Sequence, residues 1–124
     1  MARVIDLKTF TDERGNLTVI EKTLPFEIKR VFYIYGVNNA RRGGHRHKKT
    51  KQAAIAIQGS CSINSFSNHY IPEEIFHLNS PSKCMIIEPN DWHEMYDFSE
   101  DCILMVFASE YYDPEDYIFK CYEQ

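Results

Sequence analysis

Short apolar or alternating segments recur along the whole chain, and residues typical of turns separate them. Such segments predict β-strands, because successive side chains of a strand point to opposite faces of a sheet. Many short strands at this spacing favour an all-β sandwich or small barrel. We expect strands at residues 4–7, 17–21, 28–37, 53–58, 60–66, 74–78, 83–88, 93–98 and 102–108.

One short helix is predicted, and it lies in the C-terminal part of the sequence. Asp113 is a suitable N-cap, Pro114 suits the first helical position, and the two acidic residues that follow suit the first turn.

Length and composition predict one soluble domain over residues 1–124. The apolar fraction of 44% and the net charge of −4 are ordinary for a globular protein. No segment approaches the roughly 20 apolar residues that span a bilayer, and the first residues lack the apolar run of a signal peptide. We therefore expect a cytoplasmic protein that does not bind a membrane.

The cysteines and the charged residues argue against two further classes of protein. The four cysteines are widely spaced, with no Cys-x-x-Cys pair, so they predict buried thiols rather than a zinc site or disulfides. Acidic residues outnumber basic ones, and the one basic cluster, at residues 41–51, is short. This balance argues against nucleic acid and favours a small anionic ligand. The lysines of that cluster are equally explained as a solvated strand end.

The most informative feature is a histidine pair, His45 and His47, which follows two glycines. If this segment is extended, both imidazoles project to the same face while Arg46 points away. Imidazole titrates near neutral pH and is also a common metal ligand. The pair therefore predicts either proton transfer or metal binding.

The surrounding residues resemble the first motif of the cupins, in which two histidines precede a glutamate and a closing glycine. His45, His47 and Gly59 match, but Gln52 replaces the glutamate and Asn39 stands at the leading glycine. Residues 89–93 are a shortened second motif that ends in a histidine. The resemblance implies a cupin, RmlC-like jelly-roll β-sandwich with its site inside the barrel.

The departure at Gln52 bears on metal binding. A neutral amide binds a divalent cation more weakly than a carboxylate does, so we expect no metal and no other cofactor. A site made of His45, His47 and His93 stays open as an alternative, because some zinc enzymes use three histidines.

A narrower resemblance covers nearly the whole chain. Residues 12–17, 25–34, 42–49, 58–61, 89–99 and 108–113 resemble the dTDP-4-keto-6-deoxyglucose 3,4-ketoisomerases, which are related to the WxcM-like family. The resemblance implies a metal-independent enzyme that moves the keto group of a dTDP-linked 4-keto-6-deoxy sugar from C4 to C3. Such enzymes supply 3-amino-deoxysugars for surface glycans or antibiotics.

This reaction requires two proton transfers and a stabilised enediolate. The C4 ketone acidifies the C3–H bond, a base removes that proton, and a proton returns at C4. We assign His45 as the base at C3 and His47 as the group that moves a proton between the two oxygens, with their order open. On the resemblance, the Tyr33 hydroxyl either donates a hydrogen bond to the enediolate or bonds to a histidine.

Four further residues are assigned to substrate binding. Arg41 or Arg42 suits the diphosphate, since a guanidinium group matches phosphate oxygens, and the family pattern favours Arg42. The resemblance places Arg14 beside the sugar and lets His93 reach it from the second motif. Arg14 together with His93 resembles the galacto-forming branch, so we expect dTDP-3-keto-6-deoxygalactose as the product.

An N-terminal strand leaves an open sheet edge, which related cupins cover across a two-fold axis, so we expect a homodimer. Three alternatives remain for the activity: a metal-dependent three-histidine oxygenase, a non-catalytic sugar-nucleotide-binding module, and a 3,5-epimerase. The remaining aromatic and histidine side chains are taken as structural: His69, His77, Tyr111, Tyr112, Tyr117 and Tyr122.

Overall fold

The computed structural model describes residues 1–122, and within them the chain forms short strands and one 3-10 helix, Pro114–Asp116. The strands are β1 (Arg3–Asp6), β2 (Lys8–Asp12), β3 (Gly15–Val19), β4 (Arg30–Tyr35), β5 (Arg42–His47), β6 (Gln52–Gln58), β7 (Cys61–Phe66), β8 (Glu74–Leu78), β9 (Lys83–Ile87), β10 (Trp92–Tyr96), β11 (Ile103–Ala108) and β12 (Tyr117–Ile118).

Two five-stranded antiparallel sheets and one hairpin account for these strands. The first sheet has the order β1-β9-β6-β11-β4, and the second has the order β12-β5-β10-β7-β8. The hairpin β2–β3 belongs to neither sheet. The jelly-roll sandwich that the sequence predicts is therefore confirmed.

The main core lies between the two sheets. Even-numbered residues of β6, such as Ala54 and Ala56, pack there with Leu104, Val106 and Ile63. Burial of this apolar surface is the dominant favourable term in folding, at about 25 cal/mol per Å². The core fills one end of the sandwich and leaves the polar residues of β5 and β10 at the other.

The outer face of the first sheet is only partly covered. Ile55 and Phe107 on this face pack against Leu24 and Phe26 from the segment before β4. Beyond that segment, the outer face stays exposed and carries a patch of apolar side chains. We call it the outer patch, and its members are Tyr33, Tyr35, Ile57, Ile103 and Met105.

Several elements differ from the expected ones. The strands β2, β5 and β12 were not among the predicted segments, since none contains an apolar alternating run. The predicted helix is a single 3-10 turn, although its expected cap is present: the Asp113 side chain accepts a hydrogen bond from the Glu115 N–H. No helix among the described residues is long and apolar enough to cross a membrane.

The cysteines are free thiols, as predicted. Cys61, Cys84 and Cys102 are buried, and Cys121 is half-buried. Burial raises the pKa of Cys61 to about 12 and that of Cys84 to about 11. These thiols are therefore protonated and unreactive at neutral pH.

Candidate active site

Three histidines meet where β5 lies beside β10 in the second sheet. His45 and His47 project to the same side of β5, as their spacing predicts, and His93 lies opposite His45 in the ladder. The ring centroid of His45 is 4.9 Å from that of His47 and 4.8 Å from that of His93. We call these three residues the histidine cluster.

A local irregularity of the backbone places His93 beside the pair. The β5–β10 register shifts between His93 and Glu94, and Gly43 faces the shift with φ of 82°. A Cβ atom at Gly43 would lie 2.9 Å from the carbonyl oxygen of His93, so only glycine fits there. The Gly-Gly sequence before the pair is thus a requirement of the site's geometry.

Backbone and side-chain acceptors fix the orientation of two imidazoles. Nδ1 of His47 lies 3.0 Å from Oδ2 of Asp116, and Nδ1 of His93 lies 3.1 Å from the carbonyl oxygen of Asp91. Because both partners accept, each Nδ1 carries the proton and donates it. Nε2 of the neutral ring then bears a free lone pair, and neither buried Nε2 has a hydrogen-bond partner among residues 1–122.

Asp116 is held in place by hydrogen bonds from the segment that follows β5. It is buried on the 3-10 turn, accepts a hydrogen bond from the Thr50 hydroxyl, and accepts another from the Lys49 N–H at 2.8 Å. Burial acts to raise the pKa of Asp116, but the hydrogen bonds from Thr50, Lys49 and His47 hold it below the ordinary value. Asp116 is therefore ionised at neutral pH.

The three imidazoles are neutral at physiological pH. Burial, and to a smaller extent the neighbouring imidazoles, lower the pKa of His45 to about 4 and that of His93 to about 3. Burial also lowers the pKa of His47, but the hydrogen bond and charge of Asp116 oppose this effect. His47 is thus the member of the histidine cluster whose protonated form is best stabilised by a carboxylate.

His45 and His93 line a cavity of about 210 Å³ between the two sheets, and the buried His47 lies next to them without being one of the lining residues. The ring of Tyr117 lies 4.7 Å from His45 and 4.5 Å from His47, centroid to centroid, and covers one side of the pair. Buried Oε1 of Gln52 has no hydrogen-bond partner within the described part of the chain. The other lining residues include Phe32, Ile34 and Met95.

Two arginines also line this cavity. Arg30 is half-buried, with its guanidinium group 4.7 Å from the Phe32 ring centroid and 5.3 Å from that of Tyr112. No described carboxylate forms an ion pair with it. Arg42 is exposed at the start of β5. The cavity therefore combines neutral bases with unpaired positive charge, which suits an anionic ligand or intermediate.

Tyr33 does not line this cavity within one chain, so its contact with the enediolate stays a prediction. Arg30, Phe32 and Ile34 of β4 face the cavity, and Tyr33 therefore points to the opposite face. Its side chain is 60% exposed and its ring stacks on Tyr35 at 5.9 Å.

Arg14 and Arg41 are also placed away from the histidine cluster. Arg14 lies on the exposed β2–β3 hairpin, where it forms an ion pair with Asp12 at 2.6 Å. Arg41 forms an ion pair with Glu94 at 2.9 Å and lies over the Tyr96 ring, beside a separate cavity of about 450 Å³. Among the predicted binding residues, only Arg42 and His93 line the same cavity as His45.

Sequence reasoning missed Arg30, Asp116 and the role of Tyr117. Arg30 stands at the start of a predicted strand, where a charged residue is usually solvated. Asp116 was explained by the acidic first turn of a helix, and its partner lies 69 residues earlier. Alternation within 28–37 could have placed Arg30 opposite Tyr33, but it could not have shown which face lies inside.

The histidine cluster also fits a divalent cation. One nitrogen from each ring lies within 4.8 Å of the others, and imidazole nitrogen is a preferred donor for zinc. His45, His47 and His93 would hold such an ion, which when bound would polarise a carbonyl oxygen or a water molecule. The alternative that the sequence left open is thus compatible with the geometry.

We expect the stability of the protein to fall as the pH is lowered from 7 to 4. The unfolded chain protonates His45 and His93 near pH 6.5, whereas the folded chain resists protonation to about pH 4 and about pH 3. Each group then contributes at most about 1.4 kcal/mol per pH unit to the loss. Urea unfolding at several pH values measures this slope. His93→Gln should reduce it, and a flat profile would contradict the assignment.

Comparisons with known proteins identify the family of this chain. The FdtA family profile, described as "WxcM-like, C-terminal", matches residues 1–124. A TDP-4-oxo-6-deoxy-alpha-D-glucose-3,4-oxoisomerase from Aneurinibacillus thermoaerophilus is 44% identical over 119 residues, which cover 94% of this chain and 84% of that protein.

Solved structures of a sugar 3,4-ketoisomerase are also similar to this chain. The sugar 3,4-ketoisomerase QdtA from Thermoanaerobacterium thermosaccharolyticum, in complex with TDP, is 44% identical to this chain. The aligned region covers 96% of this chain and 88% of the QdtA chain, and the TM-score is 0.90. A QdtA double variant, with tyrosine changed to arginine and arginine to histidine, is also bound to TDP. It is 46% identical to this chain, the aligned region covers 96% of this chain and 87% of the variant, and the TM-score is 0.91.

A more distant structure shows the fold alone. The 3,5-epimerase RmlC from Legionella pneumophila is 15% identical, covers 94% of this chain and 70% of its own, and has a TM-score of 0.79. The profile match over the whole sequence and the relatives above 40% identity show that this chain belongs to the FdtA family.

Proposed function

We propose that this protein is a sugar-nucleotide 3,4-ketoisomerase that converts TDP-4-keto-6-deoxyglucose to a TDP-3-keto-6-deoxyhexose without a metal. The names of its relatives support this substrate and reaction. The observation that carries the proposal is the cluster of neutral imidazoles beside one cavity, in which the buried Nε2 atoms of His47 and His93 have no hydrogen-bond partner among the described residues. We further propose that it works in the cytoplasm, in the synthesis of 3-amino-deoxysugars for glycans.

In this mechanism, Nε2 of His47 removes the proton from C3. His47 is favoured over His45 because buried Asp116 accepts from Nδ1 and stabilises the imidazolium that forms. The order of roles given by the sequence is therefore exchanged. His45, whose ring lies 4.9 Å away, moves the proton between O3 and O4. The His47 imidazolium then returns a proton to C4, which completes the isomerisation and regenerates the neutral base.

The enediolate that forms carries negative charge in a cavity that excludes much of the solvent. Arg30 projects into this cavity without a carboxylate partner among the described residues, and its charge opposes protonation of His47. We assign Arg30 to the enediolate, the role that the sequence gave to Tyr33. Arg42, at the exposed start of β5, is assigned to the diphosphate.

The test of this function is NMR of TDP-4-keto-6-deoxyglucose in deuterated water with chelator-treated protein. We expect exchange of the C3 hydrogen and a new 3-keto product. Exchange at C5 instead would indicate a 3,5-epimerase, and binding without exchange would indicate a binding module. Activity that depends on an added metal, as in a three-histidine oxygenase, would contradict the proposal.

We also propose the galacto product. The QdtA double variant gains arginine and histidine, and its identity to this chain is 46% against 44% for the other QdtA structure. Over 96% of 124 residues, a gain of two percentage points is about two positions. This supports the equivalence of Arg14 and His93 with the two substituted residues.

The corresponding swap should change the product. We expect the double variant Arg14→Tyr with His93→Arg to give the gluco epimer, because the side chains beside the sugar determine which face of C4 receives the proton. His93 lines the cavity, and Arg14, which lies away from it within one chain, is proposed to reach the sugar of the second copy in the dimer. Proton coupling constants of the product distinguish the epimers. An unchanged galacto product from an active double variant would remove the basis of this assignment.

We propose that the protein is a homodimer in which the outer patch is buried against a second copy. Exposed apolar patches on soluble proteins mark interaction surfaces, and Tyr33 and Tyr35 are 60% and 67% exposed. The β2–β3 hairpin, which joins neither sheet, exposes Phe10 and Leu17 as well. A two-fold contact would cover both features.

The dimer proposal is tested by charge at the outer patch. We expect Ile57→Glu to shift the protein from dimer to monomer at micromolar concentration, because a carboxylate cannot be buried there without a partner. Tyr70→Glu is the matched control, since Tyr70 is 92% exposed outside the patch. Light scattering measures the mass, and a wild-type monomer would contradict the proposal.

A further inference from the structure

We propose that Gln52 accepts a hydrogen bond from the 2-hydroxyl group of the keto sugar, and that this contact selects sugars carrying the hydroxyl against their 2-deoxy analogues. The inference rests on the proposed function for the identity of the sugar. It gives a substrate-binding role to a side chain that takes no part in the proton transfers.

Gln52 places an unpaired acceptor beside the cavity. Its side chain is only 3% exposed, it lines the cavity, and its buried Oε1 has no hydrogen-bond partner among residues 1–122. Buried polar atoms in folded proteins nearly always have a partner, because an unpaired one costs stability. The position is therefore typical of an acceptor that a bound molecule satisfies.

Gln52 lines the cavity from the sheet opposite the histidines. It begins β6 and lies opposite Ala108 of β11, which in turn lies opposite Arg30 of β4. Arg30 and Gln52 thus share one row across the first sheet, with only a methyl group between them. His45 and His93 line the same cavity from the second sheet. A sugar in the cavity would therefore have imidazoles on one side and the arginine with the amide on the other.

Elimination among the oxygen atoms of the sugar points to the 2-hydroxyl group. C4 carries the keto group and C6 is a methyl group, so the hydroxyl groups of this sugar are on C2 and C3. O3 and O4 are assigned to His45 and Arg30. The other buried unpaired acceptors at the histidine cluster are Nε2 of His47 and of His93, which are assigned to C3 and to the face of C4. The 2-hydroxyl group and Gln52 are the donor and the acceptor that remain.

A neutral amide suits this position better than a carboxylate would. A carboxylate beside the imidazoles would stabilise their protonated forms and raise their pKa values, whereas the mechanism requires neutral bases. An amide oxygen accepts a hydrogen bond from a hydroxyl group without adding charge. Glutamine at position 52 can therefore bind the sugar and leave the bases unprotonated.

The first test compares TDP-4-keto-6-deoxyglucose with its 2-deoxy analogue on the wild-type protein. We expect kcat/KM for exchange of the C3 hydrogen to be at least about tenfold lower with the analogue, because the analogue leaves a buried acceptor unpaired. Equal kcat/KM for the two sugars would show that water satisfies Gln52, and it would overturn the inference.

The second test is the variant Gln52→Met, since methionine has a similar length and no comparable acceptor. We expect KM for the normal sugar to rise about tenfold with little change in kcat, because the 2-hydroxyl takes part in no bond that changes. Discrimination against the 2-deoxy analogue should disappear. Gln58→Met is the matched control, because the exposed Gln58 amide at the other end of β6 donates to the Asp101 carbonyl oxygen.

Two results with Gln52→Met would overturn the contact. Full discrimination in the variant would assign the 2-hydroxyl to another acceptor, such as His93. An equal loss of kcat with both sugars would place Gln52 at the reacting oxygens instead. TDP lacks the sugar, so the variant should bind TDP as tightly as the wild type does. The comparison of the two sugars on the wild-type chain does not depend on how the variant folds.

Calorimetric binding of both sugars separates this inference from the proposed function. A wild-type chain that binds the normal sugar more tightly than its 2-deoxy analogue but never exchanges the C3 hydrogen would overturn the ketoisomerase and keep the Gln52 contact. A chain that binds both sugars equally and exchanges the C3 hydrogen equally in both would overturn the contact and keep the ketoisomerase.

Discussion

The substitution His47→Asn is expected to lower kcat by about 10²–10⁴-fold while leaving affinity for the TDP-linked sugar nearly unchanged. A positioned general base contributes a factor of this size, and asparagine has no lone pair basic enough to accept the C3 proton. Binding should persist, because the arginines that line the cavity are not altered.

Deuterium exchange at C3 and calorimetric binding of the substrate measure the two effects separately. The control is His77→Asn, the same chemical change at an exposed histidine on β8. It should retain full activity. If His47→Asn exchanges C3 hydrogen at the wild-type rate, the base is another residue, and an equal loss in His45→Asn alone would restore the order of roles that the sequence first gave.

Asp116→Asn is expected to cause the second large loss, also about 10²–10⁴-fold in kcat. In the Ser-His-Asp triads, the same change of a buried aspartate leaves the geometry intact but favours the wrong tautomer of the histidine. The amide can donate to Nδ1 of His47, which places the proton on Nε2, where the base must be free. Substrate affinity should change little, because Asp116 lies behind the ring.

The pH dependence distinguishes this positioning role from a purely structural one. Loss of the Asp116 charge lowers the pKa of His47, so the acidic limb of kcat against pH should move to lower pH while folding, followed by circular dichroism, is retained. Glu115→Gln on the same 3-10 turn is the control, because Glu115 is exposed. An unchanged pH profile in Asp116→Asn would show that Asp116 supports only the fold.

The sequence predicts most of the fold because most strands carry their own signal. The continuous run of β6, from Ala53 to Ile57, is apolar on both faces. The structure buries one face between the sheets and Ala53 and Ile55 of the other under the segment before β4, and it leaves Ile57 exposed in the outer patch. In contrast, β5 consists of arginine, glycine and histidine. Its neighbours β10 and β12 make it a strand, and no local propensity indicates that.

The site is predictable only as far as local spacing reaches. The projection of His45 and His47 to one side follows from the period of two and is confirmed. The partnership of His47 with Asp116 joins residues 69 positions apart, so no periodicity relates them. The orientation of β4 is a similar case. Arg30 and Tyr33 must point to opposite faces of the strand, but only the packing of the sandwich decides which of them lies inside.

The partnership between His47 and Asp116 has a consequence for homologues known only by their genes. Position 116 lies 69 residues after His47 and outside the Gly-Gly-His-Arg-His segment, so a substitution there leaves that segment unchanged. A protein can thus keep the whole Gly-Gly-His-Arg-His signature and lose its catalytic power. Surveys that separate active enzymes from inactive homologues should therefore give this aspartate the same weight as the histidines.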